Sequence, residues 1–449
     1  MMTDTIFALA TAPGRAGVAV VRVSGPAAGG ALEALAGTPR PSPRVATLRR
    51  LRDPASAEVL DDALVLWFPG PRSYTGEDVA ELHLHGGRAV TAAVLDALGR
   101  CPGLRPAEPG DFTRRAFANG KMDLTAAEGL IDLIDAETSA QRRQALRQME
   151  GELGRLYEGW RTRLIRALAH MEADIDFPDE DLPAGVADAV RPEITDLIRA
   201  IGAHLSDGHR GERLREGLHV AIVGAPNAGK SSLLNALARR DAAIVSERAG
   251  TTRDVIEVHL DVGGFPVVLA DTAGLRETAD TIEEEGVRRA LARAASADLK
   301  IAVFDAAALP HLDGGTLALV DDDSLVVVNK CDLPGVGTAV RAAESALSGC
   351  PLLAVSARVG TGLGDLEARL AAAAGERLTG SGAPALTRTR HRVALEACRA
   401  ALERALTAPL PELAAEDVRL AAAALGRITG RVDVDDLLDV IFRDFCIGK

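Results

Sequence analysis

Short apolar runs separated by glycine turns open the chain: GVAVVRVSG at 17–25, DALVLWFPG at 62–70 and VAELHLHGG at 79–87. In AELHLH apolar and polar residues alternate, the pattern of a strand buried on one face. Residues 89–98 have helical spacing. Together these patterns predict a small α+β domain over residues 1–120. After Gly120 the period changes. Leu146, Met149, Leu153, Leu156, Trp160, Leu164 and Leu168 recur every three or four positions, which predicts one face of a long helix within 125–171. The opposite face carries Arg142, Arg143, Arg147, Glu152 and Arg155. DFPDEDLP at 176–183 breaks the pattern, and another helix is predicted over 186–205.

Near Gly217 strands begin to alternate with helices. HVAIVG, VVLADT, KIAVFD and LVVVNK read as strands, and this alternation implies a parallel sheet. TGSGAP at 379–384 reads as a linker, after which helical spacing resumes at 392–406, 416–425 and 435–442. Neither helical stretch has an apolar face broad enough to fold alone. The simplest organisation is one helical domain, 121–215 and 380–449, interrupted by an α/β domain at 216–379. Two unrelated bundles are the alternative.

Composition narrows the class. Hydrophobic residues make up 47% and aromatics 3%, so the cores rest on Ala, Leu, Val and Ile. A net charge of −13 argues against a coat for nucleic acid, though not against a local RNA contact. Arg49, Arg50, Arg52, Arg142, Arg143 and Arg147 are candidates for such a contact and equally good solvated charges. Cys101, Cys331, Cys350, Cys398 and Cys446 include no CxxC pair, which points to a reducing compartment. No signal peptide or membrane-length apolar run is read, so a cytosolic protein is expected.

The chemistry concentrates in the α/β segment. Gly224-Ala225-Pro226-Asn227-Ala228-Gly229-Lys230-Ser231 fits the phosphate-loop pattern and sits between a predicted strand and helix. Its backbone N–H groups cradle phosphates, Lys230 adds charge at the β- and γ-phosphates, and the Ser231 hydroxyl suits magnesium. Asn329-Lys330-Cys331-Asp332 follows a strand. A carboxylate at Asp332 accepts from two N–H groups of guanine that adenine lacks on that edge. Asn329 and the Lys330 stem close the pocket, and Ser356-Ala357-Arg358 adds a backbone N–H. Asp271-Thr272-Ala273-Gly274 places Asp271 to hold magnesium through water and the Gly274 amide at the γ-phosphate. Thr252, in GTTRD, is the switch threonine for magnesium. Leu275 stands where Ras-like switches use a water-orienting glutamine. Glu283, Glu284 and Glu285 are candidates to replace it, or else a solvated helix start.

At this point the chain resembles the MnmE (TrmE) family of bacterial tRNA-modification GTPases. The resemblance runs through DTIFALATAPGRAGVAVVRVSG, SYTGEDVAELHLHGG, RPAEPGDFTRRAFANGKMDLTAAE, the G motifs and the Cys446-Ile447-Gly448-Lys449 end. It implies a Ras-like P-loop G domain inserted into an all-helical domain, preceded by an N-terminal α+β domain for folate binding and homodimerisation. It implies a partner, the flavin protein MnmG, with tRNA held largely through that partner. Together they act at carbon 5 of the wobble uridine (position 34) of certain tRNAs, using GTP, magnesium, potassium and a tetrahydrofolate one-carbon derivative, the 5,10-methylene or 5-formyl form. No membrane is implied.

Carried over residue by residue, the resemblance puts folate contacts on Arg22, Glu81, Lys121 and Lys449. It puts nucleotide contacts on Asn227, Ala228, Gly229, Lys230, Ser231, Ser232 and the loop Ser246, Glu247, Arg248, Ala249, Gly250, Thr251. Asn227, Ser246, Arg248 and Thr251 become potassium ligands, and Glu283 the water-orienting carboxylate. Lys230, Asn227 and Glu283 are then the catalytic set. Cys446 lies near the one-carbon donor with either a thiol role or a packing role. An assembly switch such as a ribosome-maturation GTPase would explain the G motifs but leave the N-terminal domain and the CIGK end unexplained.

Overall fold

The computed structural model describes residues 4–176, 186–240, 257–271, 295–337, 340, 352–380, 382, 384–432, 438, 441–443 and 445–448. By contact the chain divides into two compact units, each assembled from separated stretches. One takes Met1–Ile131, Arg147–Thr195 and Ala397–Lys449; the other takes Asp132–Leu146 and Asp196–Glu396. Contact therefore puts residues 132–146 and 196–215, part of the helical sequence, with the sheet that follows them.

The first unit contains a six-stranded sheet built from β1 (Thr5–Leu9), β2 (Ala16–Ser24), β3 (Thr47–Arg52), β4 (Val59–Phe68), β5 (Val79–Gly86) and β6 (Leu104–Pro106), in the order β3-β4-β5-β2-β1-β6. All neighbours are antiparallel except β1 and β6. Alternation in β5 works as its sequence predicts: Leu82 and Leu84 are buried while Glu81, His83 and His85 lie on the other face. Helices α1 (Ala28–Ala36) and α2 (Arg88–Gly99) cover the buried face, and Leu32, Leu35, Val94 and Leu98 pack there with Val21, Val23, Val65 and Leu82. The opposite face carries Arg22, next to a smaller cluster of Ile6, Ala8, Ala107 and Phe112 with Tyr74 packed against it. Phe112 belongs to α3 (Asp111–Ala118).

The long helix expected within 125–171 is three helices: α4 (Leu124–Ile134), α5 (Ser139–Met149) and α6 (Glu152–Asp176). Two local features cut it. Thr138 and Gln141 form a reciprocal cap, the Gln141 N–H donating to Thr138 Oγ1 at 3.3 Å and the Thr138 N–H to Gln141 Oε1 at 3.1 Å. This starts a new helix. Gly151 then takes φ 80, a left-handed backbone that ends α5. The apolar stripe survives along α6 with its centre on Leu153, Tyr157, Leu164 and Ala167, while Leu156 and Leu168 lie at its half-buried border. The helix Pro411–Thr429 packs along α6. The expected helix at 435–442 falls mostly outside the described residues, but Ile441 and Phe442 are buried with Leu124 and Ala127.

The second unit holds the other sheet. After α7 (Val186–Leu205) and α8 (Arg210–Glu216) come β7 (Leu218–Gly224), α9 (Lys230–Arg240), β8 (Glu257–Val262), β9 (Phe265–Asp271), β10 (Leu299–Asp305), β11 (Ser324–Asn329) and β12 (Leu352–Ala354). Their order is β12-β11-β10-β7-β9-β8, parallel except for the β8–β9 pair. Val220 and Ile222 of β7 face one core and Ala221 and Val223 the other. Burial on both faces makes the parallel strands read as continuous apolar runs. Strands β9 and β10 flank β7 on opposite sides, so the connection after β7 runs toward β8 and β9 while the one after β10 runs toward β11, which opens a crevice at the end of β7. Among the described residues no helix is long and apolar enough to cross a membrane.

Gly129 of α4 is a close-approach position: a Cβ there would sit 2.6 Å from the Met149 nitrogen. Gly129→Ala should therefore destabilise the fold by about 1–3 kcal/mol despite alanine's helix preference. A urea midpoint at or above the parent's would contradict this packing.

Candidate functional site

The phosphate loop occupies the crevice at the end of β7. Each unusual backbone angle in it has a cause. Gly224 lies against β10, where a Cβ would meet the Val303 carbonyl oxygen at 2.4 Å. Asn227 and Gly229 take φ 62 and 93, folding the loop back toward the first turn of α9. Lys230 is buried, and its Nζ donates to the carbonyl oxygens of Gly224 and Ala225, both at 2.9 Å. A cation is thus held within the loop at a helix N-terminus, an arrangement that favours a polyphosphate.

Asn329 ties this loop to the Ser356–Arg358 segment. It ends β11, is 2% exposed, and donates from Nδ2 to the Ala228 carbonyl at 2.9 Å. Its Oδ1 accepts from the Ala357 N–H at 3.1 Å. The fit leaves no room at Gly229, where a Cβ would lie 2.2 Å from Asn329 Nδ2. Nearby, the buried Ser356 hydroxyl donates to Asp332 Oδ1 at 2.7 Å, and the Val359 N–H donates to Ser356 Oγ at 3.2 Å. Arg358, 84% exposed at its side chain, brings Nε to 3.4 Å from Asp332 Oδ2. The Ser356 hydrogen bond, helped by Arg358, holds the Asp332 carboxyl below the usual carboxylate range. A charged carboxylate has about four acceptor positions, so Asp332 retains capacity for two N–H donors. These groups line a cavity of about 500 Å³, within the usual range for a small-molecule site.

A second constellation sits on the first sheet. Arg22 on β2 and Glu81 on β5 are register partners. Arg22 Nε and a terminal nitrogen approach Glu81 Oε1 at 3.0 and 2.9 Å. The guanidinium lies 5.1 Å from the Tyr74 ring centre and 5.8 Å from that of Phe112. Tyr74 donates or accepts at Thr113 Oγ1, 2.8 Å away, and burial pushes its phenol above the ordinary range. The chain end reaches the same place: the Gly448 carbonyl accepts from Arg22 at 3.5 Å, and a Cβ on Gly448 would meet the Leu9 carbonyl at 2.3 Å. Cys446 is exposed. Lys121 donates to the Pro71 carbonyl at 3.0 Å, and its Cδ lies 3.4 Å from where a Gly76 Cβ would stand, so it borders the loop that carries Tyr74.

Comparison with known proteins gives the family. The family description "GTP-binding protein TrmE N-terminus" matches residues 5–121, and "MnmE helical domain" matches residues 124–446. The chain is 60% identical over 448 residues to the tRNA modification GTPase MnmE of Paramagnetospirillum magneticum, covering all of both chains. It is 62% identical over 461 residues to the protein so named from Rhodospirillum rubrum, again covering all of both. With that of Parvibaculum lavamentivorans it shares 60% over 450 residues, 99% of this chain and 100% of the other.

The chain belongs to the MnmE family.

Of the nucleotide residues expected from the motifs, Gly229, Ser232, Asn329, Lys330, Asp332, Ser356, Ala357 and Arg358 line one cavity; Ala228 is bonded to Asn329, Lys230 to the loop carbonyls, Asn227 lies in the same loop with a left-handed backbone, and Ser231 is in the first turn of α9. Asp271 ends β9 as the register partner of Ile222. Ser246, Glu247, Arg248, Ala249, Gly250, Thr251, Thr252, Thr272, Ala273, Gly274, Glu283 and Lys449 lie outside the described residues. The cavity also has lining that motif reading missed: Asn235, Ala236 and Arg239 of α9, and Leu333. Helical spacing held the signal, since positions three, four and seven beyond Ser232 share its face.

The sign of the Asp332 shift sets a pH prediction. In the base-reading role that the motif gives Asp332, the carboxylate is the working form, so guanine-nucleotide binding would be kept as pH falls until it reaches the depressed folded value. Ser356→Ala removes the main cause, so its acid limb should move up toward the ordinary aspartate range near ~4. Superimposable limbs in nucleotide titrations of parent and variant would contradict this.

Proposed function

We propose that this chain is a guanine-nucleotide hydrolase acting in tRNA modification. It serves the assembly that alters carbon 5 of the wobble uridine (position 34) in certain tRNAs, with the flavin protein MnmG and a tetrahydrofolate one-carbon donor. The observation that carries the hydrolase half is Asn329, whose two hydrogen bonds hold the phosphate loop and the Ser356–Arg358 segment on one cavity with Asp332. Family membership carries the tRNA half.

Residue roles follow from chemistry. Asp332 accepts from guanine, and Lys230 places charge at the phosphates. Ser231, in the first turn of α9, supplies a hard oxygen of the kind magnesium takes; Thr252, and Asp271 through water, complete that set. Asn227 adds an amide oxygen for potassium, with Ser246, Arg248 and Thr251 as further ligands. When bound, the two cations neutralise charge that develops on the transferred phosphoryl group. Leu275 cannot orient water, so that work falls to Glu283.

For the folate the fit rests on the donor set. Glu81 offers a carboxylate to paired N–H donors, Arg22 a cation beside two aromatic rings, and Lys121 and Lys449 positive charge for a glutamyl tail. Cys446, exposed beside the docked Gly448, is available for a thiol role near the donor. A homodimer through the first sheet is supported by Leu48 and Leu64, register partners on β3 and β4 that are 67% and 46% exposed. Apolar pairs on an outward face gain from being covered by a second copy.

Two measurements test this reading. The chain should hydrolyse GTP markedly faster in potassium than in sodium at equal ionic strength, with Glu283→Ala slowing turnover while leaving nucleotide binding; equal rates in both salts remove Asn227 from its role. Calorimetric titration with 5-formyltetrahydrofolate should show binding that Arg22→Ala reduces at least ~tenfold, the loss of one charge-assisted pair. No heat with the parent protein would discard the folate half and leave the hydrolase half standing.

A further inference from the structure

Asp305 belongs to no phosphate, switch or base motif, yet the strand register brings it beside Asn329, which lines the nucleotide cavity. It ends β10 directly beside Asn329, its register partner at the end of β11. One carboxylate oxygen, Oδ1, accepts from the Ala307 N–H at 2.9 Å and caps the short turn Ala306–Ala308. That bond orients the carboxylate. The other oxygen, Oδ2, receives Lys330 Nζ at 2.6 Å. Both side chains are partly shielded, 22% and 35% exposed.

Lys330 needs such an anchor. Its backbone is left-handed, φ 66, a strained angle for a residue with a side chain. Its long stem lines the cavity, and its Cε lies 4.0 Å from where a Cβ on Gly229 would stand. Left unpaired, a lysine samples many rotamers, and ordering it on ligand binding costs conformational entropy. Fixed at its tip by Asp305, the stem is already laid between the phosphate loop and Asp332.

We propose that Asp305 is a positioning residue for guanine-nucleotide recognition, acting through Lys330 to pre-set one wall of the base pocket. The inference rests on the guanine-nucleotide reading of the site. Asp305 contributes to retention of the nucleotide more than to the rate of the chemical step.

The test uses the full chain and a fluorescent GDP. Asp305→Ala and Lys330→Met, the latter retaining most of the stem, should each speed GDP release about tenfold, the equivalent of one charge-assisted hydrogen bond. The double variant should be no faster than the faster single, because the two side chains act as one unit. In Asp305→Ala, KM for GTP should rise while kcat at saturation changes less than about twofold. Asp305→Asn keeps an acceptor for Ala307 and should fall between parent and alanine variant; it carries the test if Asp305→Ala fails to fold. Additive effects in the double variant, or release from Asp305→Asn at the parent rate, overturn the inference alone. A parent chain that binds no guanine nucleotide overturns the reading beneath it as well.

Discussion

Asn329 is the constraint on which the nucleotide site depends. A buried amide with both ends used leaves little freedom to its neighbours. Its nitrogen fixes the Ala228 carbonyl and its oxygen fixes the Ala357 N–H. Phosphate loop and base segment come from opposite ends of the sheet-bearing stretch, 101 and 28 residues away along the chain. One side chain at the end of a central strand brings both to the same crevice. Each buried partner left unsatisfied would cost about 1–3 kcal/mol, so the arrangement is held by what its loss exposes. Glycine at 229 is required because a methyl group there would occupy the amide's place.

The first sheet uses a different device for the same end. Arg115 is fully buried and donates to Glu77 and to both the carbonyl and the carboxylate of Asp4. Glu77 also accepts from Ser24, whose hydroxyl lies 2.7 Å from Thr75. This ionic core pins the loop that presents Tyr74 to Arg22. Removing the arginine alone would leave the half-buried Glu77 carboxylate without its cation, the costly way to break such a cluster, while Asp4 would keep Arg105. In each unit, then, a short segment loses its freedom to buried polar contacts beneath it.

Much of this was legible in the sequence. Strands β2, β4, β5, β7, β9, β10 and β11 announce themselves by alternation or by continuous apolar runs, and α7 has the predicted limits, whereas β1, β3, β6, β8 and β12 carry too little pattern to be read. The G motifs are legible because their chemistry depends on neighbours in sequence. What escaped depends on neighbours in space. Helical periodicity ran unbroken through Leu146–Leu168 because it records which face is apolar, not where the backbone turns; the Thr138–Gln141 cap and Gly151 decide that. Strand β8 has exposed and half-buried positions alternating weakly, since it is an edge. Tyr74, Arg115 and Asp305 carry no pattern of their own; only register and packing give them meaning.

The account turns on one claim: the phosphate and base halves of the site are a single unit joined by Asn329. The direct test is the rate of GDP release from Asn329→Ala, measured with a fluorescent nucleotide against the parent. Losing both hydrogen bonds should accelerate release by at least ~tenfold, with Asp332 and Lys230 still present. Release at the parent rate would mean that the two halves hold their places independently, and the account would be wrong.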